Sequence, residues 1–250
     1  MSTTLRDGTT VEDHRLDRLI QFDERSRDYP VMATISAKKP RSYHWRCEQT
    51  LDQGREGACV GFAWTHELVA RPREMRLSDA YAIEVYKEAQ KIDQWPGEDY
   101  SGTSVIAGVQ ILQQRGLIGE YRWAFGIHDL VMAVGYKGPA VLGIPWHQGM
   151  YRPRLAGNGS YWIDLSGPKV GGHAIVARGC KIVWKRGMSW AQRGWQDHGW
   201  DAVDMEKSFV TLRNSWGMGW GDGGDARITL AHLALLLGDR GEACIPVERR

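Results

Sequence analysis

The apolar positions change their period near the middle of the chain. A helix-like apolar run covers Ala58 to Val69 and closes at Arg71-Pro72, which predicts a first helix. Ser78 then caps SDAYAIEVYKEAQ, and Asp79 favours the positive end of that second helix. In TSVIAGVQILQQRG, apolar residues at 105, 106, 109 and 112 with a Gly stop at 116 predict a third. Further on the pattern shortens. PAVLGI, GSYWIDL, GHAIVARG, KSFVTLRN and GDARITL are β-branched or alternating, are separated by glycines, and read as strands of an antiparallel sheet or barrel. Helices first and strands later give an α+β class with two packed lobes and a cleft between them. Residues 1–45 form a polar head, with a short helix expected over 11–27 and an extended segment after Tyr29-Pro30. The expected organisation is therefore a head (1–45), a helical lobe (46–125) and a β-rich lobe (126–250).

Composition adds exclusions. The 250 residues are 42% hydrophobic, enough for one sizeable core or two lobes. Net charge is +2 with signs mixed throughout, so bulk charge gives no reason to expect nucleic acid. No apolar run approaches the ~18 residues of a membrane span. The start, MSTTLRDGTTVEDHRLDRLI, lacks the basic-then-apolar layout of a signal peptide, so a cytoplasmic location is expected. Cys47, Cys59, Cys180 and Cys244 form no C-x-x-C pair, which argues against a zinc knuckle or disulfide framework. No H-E-x-x-H spacing appears, and no metal or cofactor is expected.

Candidate chemistry begins at DQGREGACVGFAW, 52–64. Cys59 falls at the start of the first helix, where free backbone N–H groups and the helix dipole favour a thiolate. By itself it reads more readily as a small buried hydrophobe. His173 opens a strand after two glycines, and Asn214 ends another within LRNSWGMGWGDGG. An imidazole could act as base for the thiol, and an Asn could orient it.

Together these blocks resemble the signatures of papain-like (C1 family) cysteine peptidases, in that family's order of Gln, Cys, His and Asn. DYSGTSVIAGVQILQQRGLI resembles the family's substrate-cleft loop and following helix, and KGPAVLGIPW the strand that begins its barrel lobe. The resemblance spans roughly residues 45–245 and implies the two-lobe fold: a helical lobe, an antiparallel β-barrel-like lobe, and the active site between them. It implies that Cys59 is the nucleophile, His173 the base, Asn214 its orienter and Gln53 an oxyanion donor. Trp216 would shield the Asn–His contact. Gly102, Thr103, Ser104, Gly143, Gly171 and Gly172, many of them small, would form an open or roomy main substrate pocket and receive a protein or peptide substrate. A bacterial or phage-type intracellular branch is expected.

Several positions depart from the family pattern. Glu56 stands where a cysteine is usual, so the disulfide of secreted members cannot form; Val60 replaces an aromatic and Gly172 an Asn or Asp. His173 lies 114 residues after Cys59, fewer than the usual 130–150 or so. Asn214 lies 41 residues after His173. That excess places an insertion at 181–207 carrying Trp184, Trp190, Trp195 and Trp200. It reads as a long hairpin packed on its own aromatics, or as a flap or surface for a protein or glycan partner. The head either wraps the β lobe or partly covers the cleft. Beside hydrolysis stand a catalytically weak binding or assembly protein, and acyl transfer or isopeptide cleavage by the same groups.

Overall fold

In the computed structural model of the chain, residues 2–36, 39–95, 101–188 and 194–249 are described. The head is largely extended. It contains β1 (Thr3–Thr4), β2 (Thr10–Val11) and β3 (Arg18–Leu19), then two short 3₁₀ turns, then β4 (Tyr43–His44). The helix expected over 11–27 is absent there. Leu16, Asp17, Arg18 and Leu19 are instead buried by the body of the protein, so tertiary pairing overrides the local apolar spacing.

The three expected helices form as α1 (Cys59–Val69), α2 (Asp79–Ile92) and α3 (Val105–Gln114), with β5 (Thr103–Ser104) leading into α3. Side-chain caps explain two of the starts. Ser78 Oγ accepts from Tyr81 N–H, and Ser104 Oγ from Ala107 N–H. α2 is amphipathic and buries Ala82, Val85, Tyr86 and Ala89, its i, i+3, i+4 and i+7 positions. α1 is buried on every side. Each of its buried polar residues has a partner: Thr65 donates to the Gly61 carbonyl, His66 Nε2 accepts from Leu51 N–H, and Glu67 pairs with Arg249 at 2.8 Å, while His66 Nδ1 and Glu67 Oε2 have none. Gly61 brings α1 against α2, since a Cβ there would lie 2.2 Å from the Ala82 carbonyl oxygen.

The remaining elements are β6 (Ile118–Trp123), α4 (Ile127–Tyr136), β7 (Ala140–His147), β8 (Arg154–Leu155), β9 (Tyr161–Trp162), β10 (Lys169–Lys181), α5 (Gly194–His198), β11 (Phe209–Arg213), β12 (Asp225–Thr229), α6 (Leu230–Gly238) and β13 (Glu242–Arg249). The main sheet runs β6-β13-β7-β10-β11-β12-β9-β8, with β4 also on β10. It is mostly antiparallel and does not close into a barrel among the described residues. β6 lies inside the span assigned to the helical lobe, yet it belongs to this sheet through β13. β6, β13, α4 and α6 had no counterpart in the apolar pattern.

β10 shows why HAIVA reads as a continuous apolar run. Ala174 and Val176 pack into the core formed with α1 and α3, while Ile175 and Ala177 pack into the core under α4 and α6. A strand covered on both faces has no polar side to show. The helical lobe thus rests on one face of the sheet and α4 and α6 on the other. No helix among the described residues is long and apolar enough to cross a membrane. All four cysteines are free and buried.

Of the insertion, Trp190 lies outside the described residues. Trp184 and Trp195 meet edge to face, as do Trp195 and Trp200, and Trp200 stacks on His128 of α4 at 4.1 Å. All three are half-buried and packed against the main core, as a segment folded on its own aromatics would be.

Candidate active site

Cys59 is the first residue of α1, and its thiol reaches β10 of the main sheet. The sulfur accepts from the backbone N–H of Ala174 at 3.3 Å, which puts it beside the residue that follows His173. His173 Nε2 contacts Asn214 Oδ1 at 2.7 Å. The same oxygen accepts from Ser215 N–H at 2.8 Å, so the Asn214 oxygen faces the ring and Nε2 carries the proton. Nδ1 is then left with its lone pair, and it has no hydrogen-bond partner. A neutral imidazole with a free Nδ1 is the tautomer that could take a thiol proton.

The ring sits in an aromatic enclosure. Trp146 meets it at 4.6 Å and Trp216 at 5.0 Å between centroids. Trp146 is fully buried, whereas Trp216 is half-buried and also contacts Trp146 and Trp220. Trp146, at the end of KGPAVLGIPW, was given no role by the sequence. Its signal was a bulky aromatic on the strand that pairs with His173. Val60 is completely buried, so the loss of an aromatic there leaves no opening behind the nucleophile.

Gln53 is clamped at both ends of its amide. Its oxygen accepts from Ser215 Oγ at 2.6 Å, and its nitrogen donates to the Glu56 carbonyl at 2.7 Å. One amide hydrogen remains for an oxyanion. Ser215 had gone unremarked, although it lies directly between Asn214 and Trp216 in the sequence.

The head runs through this cleft. β3 pairs in parallel with β5, Arg18 opposite Thr103 and Leu19 opposite Ser104. On the other wall Asp17 bridges Gly172, also in parallel. A Cβ at Gly102 would lie 2.8 Å from the Asp17 carbonyl oxygen, and one at Gly171 would lie 2.8 Å from Leu16 Cβ. Gly143 and Gly172 are pressed equally close by Arg18. Arg15 lies over the Trp216 ring, 4.4 Å from its centroid. Gly102, Thr103, Ser104, Gly143, Gly171, Gly172 and Trp216 therefore all line the path of residues 15–19.

Asp17 occupies the centre. Its Oδ1 accepts from Cys59 N–H at 3.4 Å, and its Oδ2 accepts from Tyr86 O–H at 2.5 Å. Tyr86 in turn accepts from Gly102 N–H at 2.8 Å. A carboxylate oxygen thus sits on the backbone donor that an oxyanion would use.

Electrostatics follow from that occupation. Burial raises the Asp17 carboxyl to about 6, against the lowering effect of its Tyr86 and Cys59 hydrogen bonds. Burial first, and then the neighbouring Asp17 charge, push the Cys59 thiol well above its ordinary range. That is opposite to the thiolate expected of a helix N-terminus, because desolvation and a like charge outweigh the helix dipole here. Burial lowers the His173 imidazole to about 4, although the Asn214 contact and the Arg15 backbone work against it. In this state the pair is neutral thiol and neutral imidazole.

Comparison with solved structures bears on the fold. Xylellain, a cysteine protease from Xylella fastidiosa, superposes with a TM-score of 0.63 at 17% identity, covering 96% of this chain and 98% of that one. The chain has the papain-like fold. Digestive procathepsin L2 from Tenebrio molitor gives 0.60 at 16% identity, covering 99% and 84%. Procathepsin B S9 from Trypanosoma congolense gives 0.58 at 12%, covering 96% and 88%. No family model matches the sequence, and no curated protein does. At these identities the likeness speaks for the fold alone.

Proposed function

We propose that the protein is a cysteine endopeptidase held latent by its own head. What supports this reading is the gathering of three side chains at the cleft of a papain-like fold: the Cys59 sulfur accepts from Ala174 N–H beside His173, whose Nε2 meets Asn214 Oδ1, although thiol and ring make no hydrogen bond while the head is in place. Each member has the neighbours the chemistry needs: an N–H at the nucleophile's own backbone, a free Nδ1, and an orienting amide.

With the head displaced, His173 Nδ1 takes the Cys59 proton and the sulfur attacks a peptide carbonyl. Cys59 N–H and the spare Gln53 amide hydrogen receive the developing oxyanion. The imidazolium then protonates the leaving amine, giving a thioester. Water, activated by the neutral ring, hydrolyses it and regenerates the thiol. Acyl transfer to an amine would use the same thioester and differ only in the acceptor.

The test is digestion of casein by the full chain carrying Asp17→Ala and Arg18→Ala, with the same chain carrying Cys59→Ala as control. Cleavage that depends on Cys59 is expected. A released chain whose Cys59 is alkylated by iodoacetamide but which cuts nothing would instead be a binding protein on this scaffold.

A further inference from the structure

Arg18 and Glu242 form an ion pair at the floor of the cleft, with side chains only 1% and 3% exposed. Arg18 Nη2 meets Glu242 Oε1 at 2.7 Å and Nε meets the same oxygen at 3.1 Å. Nη2 also donates to the Arg240 carbonyl at 3.2 Å. The space for this guanidinium exists because Gly143, opposite Glu242 in the sheet, has no side chain. A Cβ there would fall 2.5 Å from Arg18 Nε and 2.7 Å from Glu242 Oε1. Gly172 borders the same pocket, 3.4 Å from Arg18 Cδ by the same measure.

This pair differs from an ordinary buried salt bridge in one respect. One partner belongs to the segment that fills the cleft, and that segment must leave before Cys59 can meet a substrate. Glu242 belongs to β13 and stays. A buried carboxylate without its cation is strongly disfavoured. It must then protonate or acquire another cation. Both donors from Arg18 converge on Oε1, and the buried Oε2 has no partner. The floor therefore keeps acceptor capacity that Arg18 does not use.

Resting on the peptidase reading, we infer that Glu242 is a specificity-determining residue and that the pocket it floors selects an arginine or lysine side chain of the substrate. Arg18 occupies the pocket as a stand-in for that side chain. The backbone beside it lies against Gly172 and Thr103, where an extended peptide would lie. An apolar side chain would bury Glu242 without compensation, and an acidic one would add repulsion.

Cleavage-site profiling tests this. The full chain carrying Asp17→Ala and Arg18→Ala digests a mixed peptide library, and mass spectrometry reads the residues around each cut. One position close to the cut should be Arg or Lys, favoured over Leu by on the order of a hundredfold. Adding Glu242→Gln should reduce that preference to less than about tenfold, and Glu242→Leu should turn it toward apolar residues. Cuts with no basic preference in the chain that retains Glu242 would overturn the inference and leave the peptidase reading intact. In that case the ion pair serves only to anchor the head. No Cys59-dependent cuts at all would overturn both.

Discussion

Asp17 Oδ1 lies 3.4 Å from the Cys59 backbone nitrogen, at the positive end of α1. Two anions, this carboxylate and a Cys59 thiolate, would compete for one helix N-terminus. The carboxylate holds it, and the thiol keeps its proton. Replacing Asp17 with Ala should free that end of the helix. Iodoacetamide should then label Cys59 roughly tenfold faster or more at pH 6, the effect of about one pKa unit. Unchanged labelling would mean that Asp17 does not control the thiol.

Asp17 also sets a pH dependence of known sign. Its folded-state pKa, about 6, lies above its ordinary 3.8, so the folded protein binds this proton more tightly than the unfolded chain. The penalty for its charge is absent below pH 3.8 and fully developed above pH 6. Asp17→Asn should therefore match the parent in thermal stability near pH 4 and exceed it near pH 7. The expected difference is about 3 kcal/mol at most. His173 and His66, lowered to about 4 and 3 by burial, act in the other direction in both proteins, and the comparison removes them.

Asn214 holds the His173 ring from the side away from its free nitrogen. Asn214→Ala in the head-released chain should lower kcat on the order of a hundredfold, with KM little changed. Steady-state hydrolysis reads this directly. A loss confined to KM would remove Asn214 from an orienting role.

The contact between α1 and α2 depends on Gly61, where a Cβ would meet the Ala82 carbonyl oxygen at 2.2 Å. Gly61→Ala should destabilise the protein by about 1–3 kcal/mol through overpacking. Urea unfolding should show a lower midpoint with an unchanged slope.

The buried Glu67–Arg249 pair makes a sharper case, because Glu67 is fully buried on α1. Arg249→Met leaves that charge alone and should cost about 3–5 kcal/mol. Adding Glu67→Gln should recover much of the loss, which chemical denaturation of the single and double variants would measure.

The sequence showed the parts of this protein whose signals are local. α1, α2 and α3 could be read because Pro72, Ser78 and Gly116 mark their ends. The Gln, Cys, His and Asn blocks could be read because each is a short motif. VEDHRLDRLIQF misled because Leu16, Leu19 and Ile20 have helical spacing, whereas the cleft walls offer strand partners that no local pattern reveals. α6 had a usable sign in its Thr229 cap and apolar run, but LAHLALLLG adjoins a strand with no break between them. Glu242 was hidden for another reason. GEACIPVE was not read as a strand, and only the pairing of β13 with β7 carries that carboxylate under Gly143.

The Arg18–Glu242 contact spans 224 residues of chain, which has a consequence for the protein as it is made. Arg18 emerges from the ribosome early and its partner late. Every other wall of the cleft, including α1, β5 and the His173 strand, is translated before Glu242. A contact of such separation carries a loop-closure cost, which ordering of the intervening chain reduces. Synthesis of β13 thus supplies the last anchor of the head, together with the strand that joins β6 to β7 in the main sheet.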